Sequence, residues 1–321
     1  MRIAAVVVVP VFLLASHGRA QCSASTDRLV KDGRYDEARA EAETRVRAKA
    51  SDDAALHCLG VIALTRDKSS EAVDWLEKAV KANDSSALHH LYLGQALGAE
   101  AMKASKFRQP FLAKRVKTEF ERTVALDPDL LDGHEGLMQF YLQAPGFMGG
   151  GLEKAKEQAR AIAHLNSLQG HYAMANIALH EKDNDAAERE MRAAITEAPD
   201  SLDVWYALGS LYQNEKRWAD AFALYDKVIA ARSGAQLAHF FYGRAAAISG
   251  QNLERGEREL KWWLGAAAKD APVTTRSGAH VRLGMIYEKQ GQRDAARAEY
   301  EAALAIIPGN TDARKLRDAL R

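Results

Sequence analysis

The sequence predicts an all-α chain assembled from repeated pairs of helices. Three observations carry that reading. Proline is sparse, 7 in 321 residues, while alanine is abundant, a composition that leans toward helix. Large apolar residues recur at spacings of three and four, which sets them on one helical face. One pattern of residues also returns along the chain in constant phase, the mark of a repeat architecture.

The first element reads as a secretory leader. Arg2 supplies positive charge, and Ile3 to Ala15 form an apolar run. That run has the length of a leader's core and falls short of a membrane span. Gly18 and Ala20 are small residues at the spacing a signal peptidase needs, so cleavage is expected after Ala20, with the mature chain periplasmic or secreted. Gln21 stands before Cys22, where a site resembling the known bacterial lipid-attachment motif would hold a small residue, so lipidation is not expected. Loss of Met1 to Ala20 removes Arg2 and Arg19 and moves the formal net charge from +1 to −1. No later segment offers the apolar run of an integral membrane helix. The balance of 44 basic against 43 acidic residues argues against a nucleic-acid binder.

The repeated elements follow. The clearest unit holds Trp205, Leu208, Gly209, Tyr212, Ala221, Tyr225 and Val228. The last holds His280, Leu283, Gly284, Tyr287, Ala296, Tyr300, Ala303 and Pro308 in the same phase. Others read Leu56, Leu59, Gly60, Ala63, Ala72, Leu76, Ala79 and His171, Met174, Ala175, Ala178, Ala187, Met191, Ala194. Small residues, Gly209 with Ala221 and Gly284 with Ala296, let two antiparallel helices approach closely. Proline or Asp stops the second helix. Charged turns such as Lys216 to Asp220 and Gln290 to Asp294 join each pair.

These residues resemble the tetratricopeptide repeat (TPR) family, whose unit is a helix–turn–helix of about 34 residues. The resemblance implies a right-handed α-solenoid over residues 21–321. Its eight units would fall near 22–52, 53–86, 87–130, 131–167, 168–201, 202–235, 236–276 and 277–310, with a charged capping helix over 311–321. The opening helix would be short. Units 87–130, 131–167 and 236–276 exceed the ideal length, the last by extra residues near Gly265 to Arg276.

In such a family the first helix of each pair lines a concave face through fixed positions. Carried over, that face holds His57, Gln95, Glu135, Gln139, Tyr172, Asn176, His180, Asp203, Tyr206, Ser210, Asn214, Phe240 and Arg244. Amides and rings suit an extended peptide, so the resemblance implies a protein or peptide partner. Tyr172, Asn176, Asp203, Tyr206, Ser210, Asn214, Phe240 and Arg244 form the expected contact set, with Tyr206 an exposed anchor and Trp205 in the core. The family's Lys-and-Asn grip on a carboxylate is missing, because Tyr172 stands where the Lys would be. A small-molecule or lipid carrier, using a hollow of the superhelix, is the alternative.

Several features bear on chemistry. His90, His134, His171, His239 and His280 recur at one repeat position. Neighbouring units lie too far apart for zinc's ~2 Å bonds, so these histidines read as half-buried packing residues with one nitrogen bonded. Between Ala144 and Gly151, glycines at 146 and 151 have the spacing of a phosphate loop, but Leu152 and Glu153 replace its Lys and Ser/Thr. Phe147 and Met148 in that loop either fold back or touch a partner. Basic residues crowd the stretch from Lys103 to Arg122, where Lys114, Arg115 and Lys117 form a candidate patch for an anionic partner or lipid headgroup. Phe111, Val116 and Phe120 would face the core. Asp27, Asp52 and Asp53 fall where helices start and read as caps. No pair of carboxylates and no nucleophile motif rises above chance, so neither enzyme nor cofactor is expected. Cys22 and Cys58 read either as two free thiols or as a disulfide, the latter if the opening helix packs beside the one carrying Cys58.

Overall fold

The computed structural model describes residues 22–232, 234–266, 269 and 271–320. The expected leader, with its cleavage point, lies outside the described residues. The fold is all-helical among them. It divides into two compact units at His180/Glu181 where one continuous array was expected.

The N-terminal unit contains α1 (Ala24–Lys31), α2 (Tyr35–Ala48), α3 (Asp53–Thr65), α4 (Ser69–Ala82), α5 (Ala87–Lys103), α6 (Gln109–Leu126) and α7 (Leu131–Gln143), then a 3-10 turn (Gly146–Met148), α8 (Leu152–Leu165) and α9 (Ser167–Glu181). The C-terminal unit contains α10 (Asn184–Glu197), α11 (Leu202–Asn214), α12 (Trp218–Ala231), α13 (Gln236–Ser249), α14 (Leu253–Ala266), α15 (Val273–Lys289), α16 (Arg293–Ile306) and α17 (Thr311–Ala319).

Side chains cap several first helices of a pair, whereas α12 and α16, which follow the charged turns, have no side-chain cap. Ser23 caps α1 by accepting from the Thr26 N–H, Asp52 caps α3 from Ala55, and Ser86 caps α5 from His89. Asp27, expected as a cap, lies in the first turn of α1 instead. Asp53 likewise lies inside α3, bonded to Asn83 and His89. The turns between paired helices carry one residue in the left-handed region, at Gly33 and Asp67 and again at Lys182, Lys216 and Gly250, 34 residues apart within each run. Among the described residues α5–α6 has no such residue and α7–α8 has Gly149 outside that spacing, while α13–α14 adds Asn252 to Gly250; all three connections belong to units of excess length.

Each pair closes over a small residue. A Cβ at Gly209 would overlap the Tyr225 ring, and one at Gly284 would stand 2.5 Å from Tyr300. The residue facing each of these glycines is therefore an aromatic four residues beyond the alanine expected there. The N-terminal core gathers Leu76, Leu91, Leu97, Phe120, Leu137 and Ile162. The C-terminal core buries Leu208, Tyr225, Tyr242, Leu260, Trp263 and Tyr300. At the end of the chain, α17 inserts Ala313 beside Val281 and Ala303, and Asn310 donates to Ser277 Oγ at 3.0 Å.

The fourth residue of a unit, counted from its first helix and held by the recurrent histidines and by Trp205, has a common use in three units. His90 Nε2 donates to the Asp84 carbonyl at 3.0 Å, His134 Nε2 to Pro128 at 2.9 Å, and Trp205 Nε1 to Pro199 at 2.9 Å. Each ring N–H reaches back six residues and satisfies a carbonyl between helix pairs. His90 and His134 use the other nitrogen as well, on Glu119 (2.6 Å) and Gln158 (2.8 Å), so both nitrogens are bonded where one was expected. Burial opposes charge on His90, but Glu119, the Asp84 carbonyl and the Asp84 carboxylate outweigh it and raise its pKa.

Cys22 and Cys58 form a disulfide with a Cα–Cα separation of 5.5 Å, which fastens the start of the chain to α3. Ala42, Leu59, Val46 and Trp75 pack around it.

Candidate functional site

In the C-terminal unit the first helices of successive pairs, α11 and α13, present the expected face. Asp203 and Asn214 are exposed, and Ser210, Phe240 and Arg244 are half-buried. Tyr206 departs from expectation: it is 9% exposed, hardly more than its neighbour Trp205 at 7%. Its ring lies 5.3 Å from Phe241 of α13, which in turn stacks on Tyr225 at 6.0 Å. Phe240 continues the aromatic layer, 5.6 Å from Phe241 and 5.2 Å from Trp263. Burial, with Asp203 assisting, pushes the Tyr206 pKa up to about 12, so its hydroxyl stays protonated. Tyr206 is thus part of a floor between α11 and α13.

Polar groups stand near that floor. Gln213 Nε2 donates to the Tyr225 hydroxyl at 2.7 Å, and the Gln213 Oε1 atom is buried without a partner. Arg244 lowers the Tyr225 pKa against the stronger effect of burial. Arg282 of α15 loses basicity through burial and through the neighbouring charge of Arg244. Its one hydrogen bond among the described residues goes to Met285 Sδ, at 3.2 Å. Asp312 offsets part of that loss, but neither guanidinium is in an ion pair among the described residues, which favours an anionic group beside them.

The N-terminal unit has a different chemistry. His57 is 3% exposed, against its expected place on an open face. Its Nδ1 meets His89 Nδ1 at 3.2 Å, and His89 Nε2 meets Asp53 at 3.2 Å. Burial, reinforced by His89, lowers the His57 pKa to about 3. Tyr92 packs edge-on against His57 at 4.8 Å. Glu135 on α7 is raised to about 7 by burial and by Asp132, whose own carboxyl is raised by burial. Tyr172 and Asn176 are half-buried on α9. They belong to the N-terminal unit, whereas the other six expected contact residues belong to the C-terminal one. Among the described residues no three His, Cys, Asp or Glu side chains converge to hold a metal.

The basic stretch is largely neutralised. Arg115 pairs with Glu77 at 2.5 Å, Lys117 with Glu121 at 3.3 Å, Arg122 with Asp84 at 3.2 Å and Lys103 with Asp67 at 2.7 Å. Of the expected patch, Lys114 alone lacks an ion pair among the described residues. Val116 and Phe120 are buried as expected, but Phe111 is 67% exposed because it lies in the first turn of α6, ahead of the packed part of that helix. In the glycine loop Phe147 is 88% exposed, and Met148 is half-buried. Sequence reading missed Arg282 and Phe241. They follow the inner-face position of their helices by one residue, and only the packing of α13 against α11 and α15 brings them in.

Comparison with known proteins agrees with this architecture. A tetratricopeptide repeat model matches residues 277–310, and a second tetratricopeptide repeat model matches residues 27–87 and 172–236. No curated protein matches the chain. Among solved structures, a tetratricopeptide repeat protein from Parabacteroides merdae shares 14% identity, with a TM-score of 0.56, 92% of this chain covered and 96% of that one. The thermophilic TPR protein TTC0263 of Thermus thermophilus shares 20% identity over 58% of this chain and 95% of its own, with a TM-score of 0.49. YrrB, described as a TPR protein with an unusual peptide-binding site, shares 14% identity over 76% of this chain and 97% of its own, with a TM-score of 0.38.

Proposed function

The chain belongs to the tetratricopeptide repeat family, and from that premise we propose that it is an adaptor of the cell envelope that holds an extended, acidic segment of a partner protein. A protein-interaction role is what this fold supports in general. The contact surface is the α11–α13 face of the C-terminal unit, with Asp203, Ser210, Asn214, Phe240 and Arg244 touching the partner and Tyr206 lying beneath them. The choice of an acidic segment rests on Arg244 and Arg282, both half-buried and neither in an ion pair among the described residues; burial and the charge of Arg244 lower the Arg282 pKa, with Asp312 acting the other way. A carboxylate of the partner would pair with them, and the half-buried Phe240 and Phe241 would cover its apolar side chains.

Placement in the envelope rests on the apolar leader of the sequence. The Cys22–Cys58 disulfide supports it, since such bonds persist in oxidising compartments. Among the described residues no helix is long and apolar enough to cross a membrane. Binding without catalysis is the reading adopted. The carrier alternative finds no support in two shallow surface depressions, since their rims include Asp27, Arg28 and Lys31 in one and Asp74, Glu77, Lys78 and Lys81 in the other.

Charge reversal tests the proposal. The Gln21–Arg321 chain is immobilised and used to capture proteins from an envelope extract, with acidic synthetic peptides from any captured partner measured by calorimetry. Arg244→Glu with Arg282→Glu should weaken the partner's affinity at least about tenfold, each charge-assisted bond being worth ~1.5–3 kcal/mol. Unchanged affinity in a folded double variant removes this face from the function.

A further inference from the structure

A surface outside that face has its own chemistry. The connection between α5 and α6 replaces the usual tight turn with a longer excursion, and it exposes large apolar side chains. Phe107 is 97% exposed, Met102 76% and Phe111 67%. The Gln109 N–H bonds to the Ser105 carbonyl, a turn that leads into α6, so Phe107 just before the helix and Phe111 in its first turn lie close together along the chain. The α7–α8 connection, two connections further along the chain, carries Phe147, 88% exposed. It packs beside α6, where the Lys117 side chain comes within 3.5 Å of a Cβ position on Gly149. Two connections at one edge of the unit therefore each hold a phenylalanine in water.

The charge around these rings decides what could cover them. Lys106 and Arg108 flank Phe107 in the chain, Lys114 lies one turn beyond Phe111, and all three are exposed without an ion pair among the described residues. Of the acids near the tip in the chain or bonded to it, Asp67 pairs with Lys103, and Glu100 accepts from the Ser69 hydroxyl. An occupant must accept an aromatic ring and, within one residue on either side, a cation. A bilayer with anionic headgroups does both at once, since acyl chains take the ring while phosphates meet the cations above it. A projecting tip also suits a fluid interface better than a protein surface, which would need a matching pocket for each separate ring.

We propose that the Met102–Phe111 tip, with Phe147 beside it, seats the N-terminal unit on an anionic lipid surface. This docking is independent of the partner face and leaves that face, on the other unit, with its own function.

Vesicle co-sedimentation of the Gln21–Arg321 chain, which contains every described helix, tests the inference. Phosphatidylcholine vesicles are compared with vesicles in which phosphatidylglycerol replaces a third of the lipid. The chain should sediment with the anionic vesicles, release as salt rises, and leave the neutral ones unbound. Phe107→Ser with Phe111→Ser, and separately Lys106→Glu with Arg108→Glu and Lys114→Glu, should each lower partition at least about tenfold. Both variants should keep the parent melting temperature, because every changed side chain is exposed. Absence of binding to anionic vesicles would assign the tip to a protein contact and overturn the proposal. So would equal binding to both vesicles, or binding undiminished in both variants.

Discussion

Tyr206 shows how far a single residue can be read from its repeat position. Trp205 takes the buried place expected of it, with its indole N–H on the Pro199 carbonyl. The exposure expected of Tyr206 is wrong, because Phe241 from the next pair lies against its ring. A repeat motif describes one helix pair, and the residue that covers its fifth position comes from another. Positions 4 and 8 are legible because their partners are built into the repeat: a carbonyl six residues back for Trp205, and the Tyr225 ring for Gly209. The consequence for stability is measurable. Tyr206→Ala should destabilise the chain by about 2–4 kcal/mol, close to the ~3–5 kcal/mol of Trp205→Ala, because both create a cavity between packed helices. Tyr206→Phe should cost less than about 1 kcal/mol. Thermal melts of the three variants check this, and a Tyr206→Ala chain as stable as the parent would restore Tyr206 to the open face.

At the scale of elements, the helices themselves were legible almost throughout, down to the short opening helix and the capping α17. The ambiguities lay where an element has a choice of neighbours. Cys22 sits before α1, and its distance in sequence from Cys58 is close to one repeat, so pairing depended on whether α1 lies beside α3. The two sulfurs do meet, and the bond closes a stretch of 36 residues. Chain-entropy reasoning assigns such a link about 3–4 kcal/mol, felt chiefly by the first two helix pairs. Reduction should therefore raise hydrogen exchange in α1 and α2 by two orders of magnitude or more while α11 to α16 stay protected. Uniform loss of protection across the chain would show that α1 and α2 do not open separately. The irregular elements were visible in the sequence as excess length, as the glycine loop with Phe147 and Met148, and as the basic stretch around α6, whose Phe111 was expected in the core. Length shows that a turn is interrupted, but which side chains face water depends on where the packed part of the helix begins.

At the scale of the whole molecule, the two units carry different charges on the inner side of their first helices. Glu135 and Asp132 hold raised carboxyl pKa values in the N-terminal unit, whereas in the C-terminal one burial and the charge of Arg244 lower the pKa of Arg282. A net charge near zero for the full chain conceals this division, so composition could exclude a nucleic-acid partner yet not suggest an acidic peptide. The division at His180/Glu181 was equally invisible, because the repeat pattern runs through it in unbroken phase. The central claim is that the α11–α13 face holds the partner. Site-specific photo-crosslinking tests it most directly. A benzoylphenylalanine placed singly at Ser210, Asn214 or Phe240, with Ala230 of α12 as the control, is illuminated in the living envelope or in extract. Adducts to one partner from the first three positions and none from Ala230 is the predicted result. Adducts from Ala230 alone, or to the same partner from all four positions alike, would contradict it.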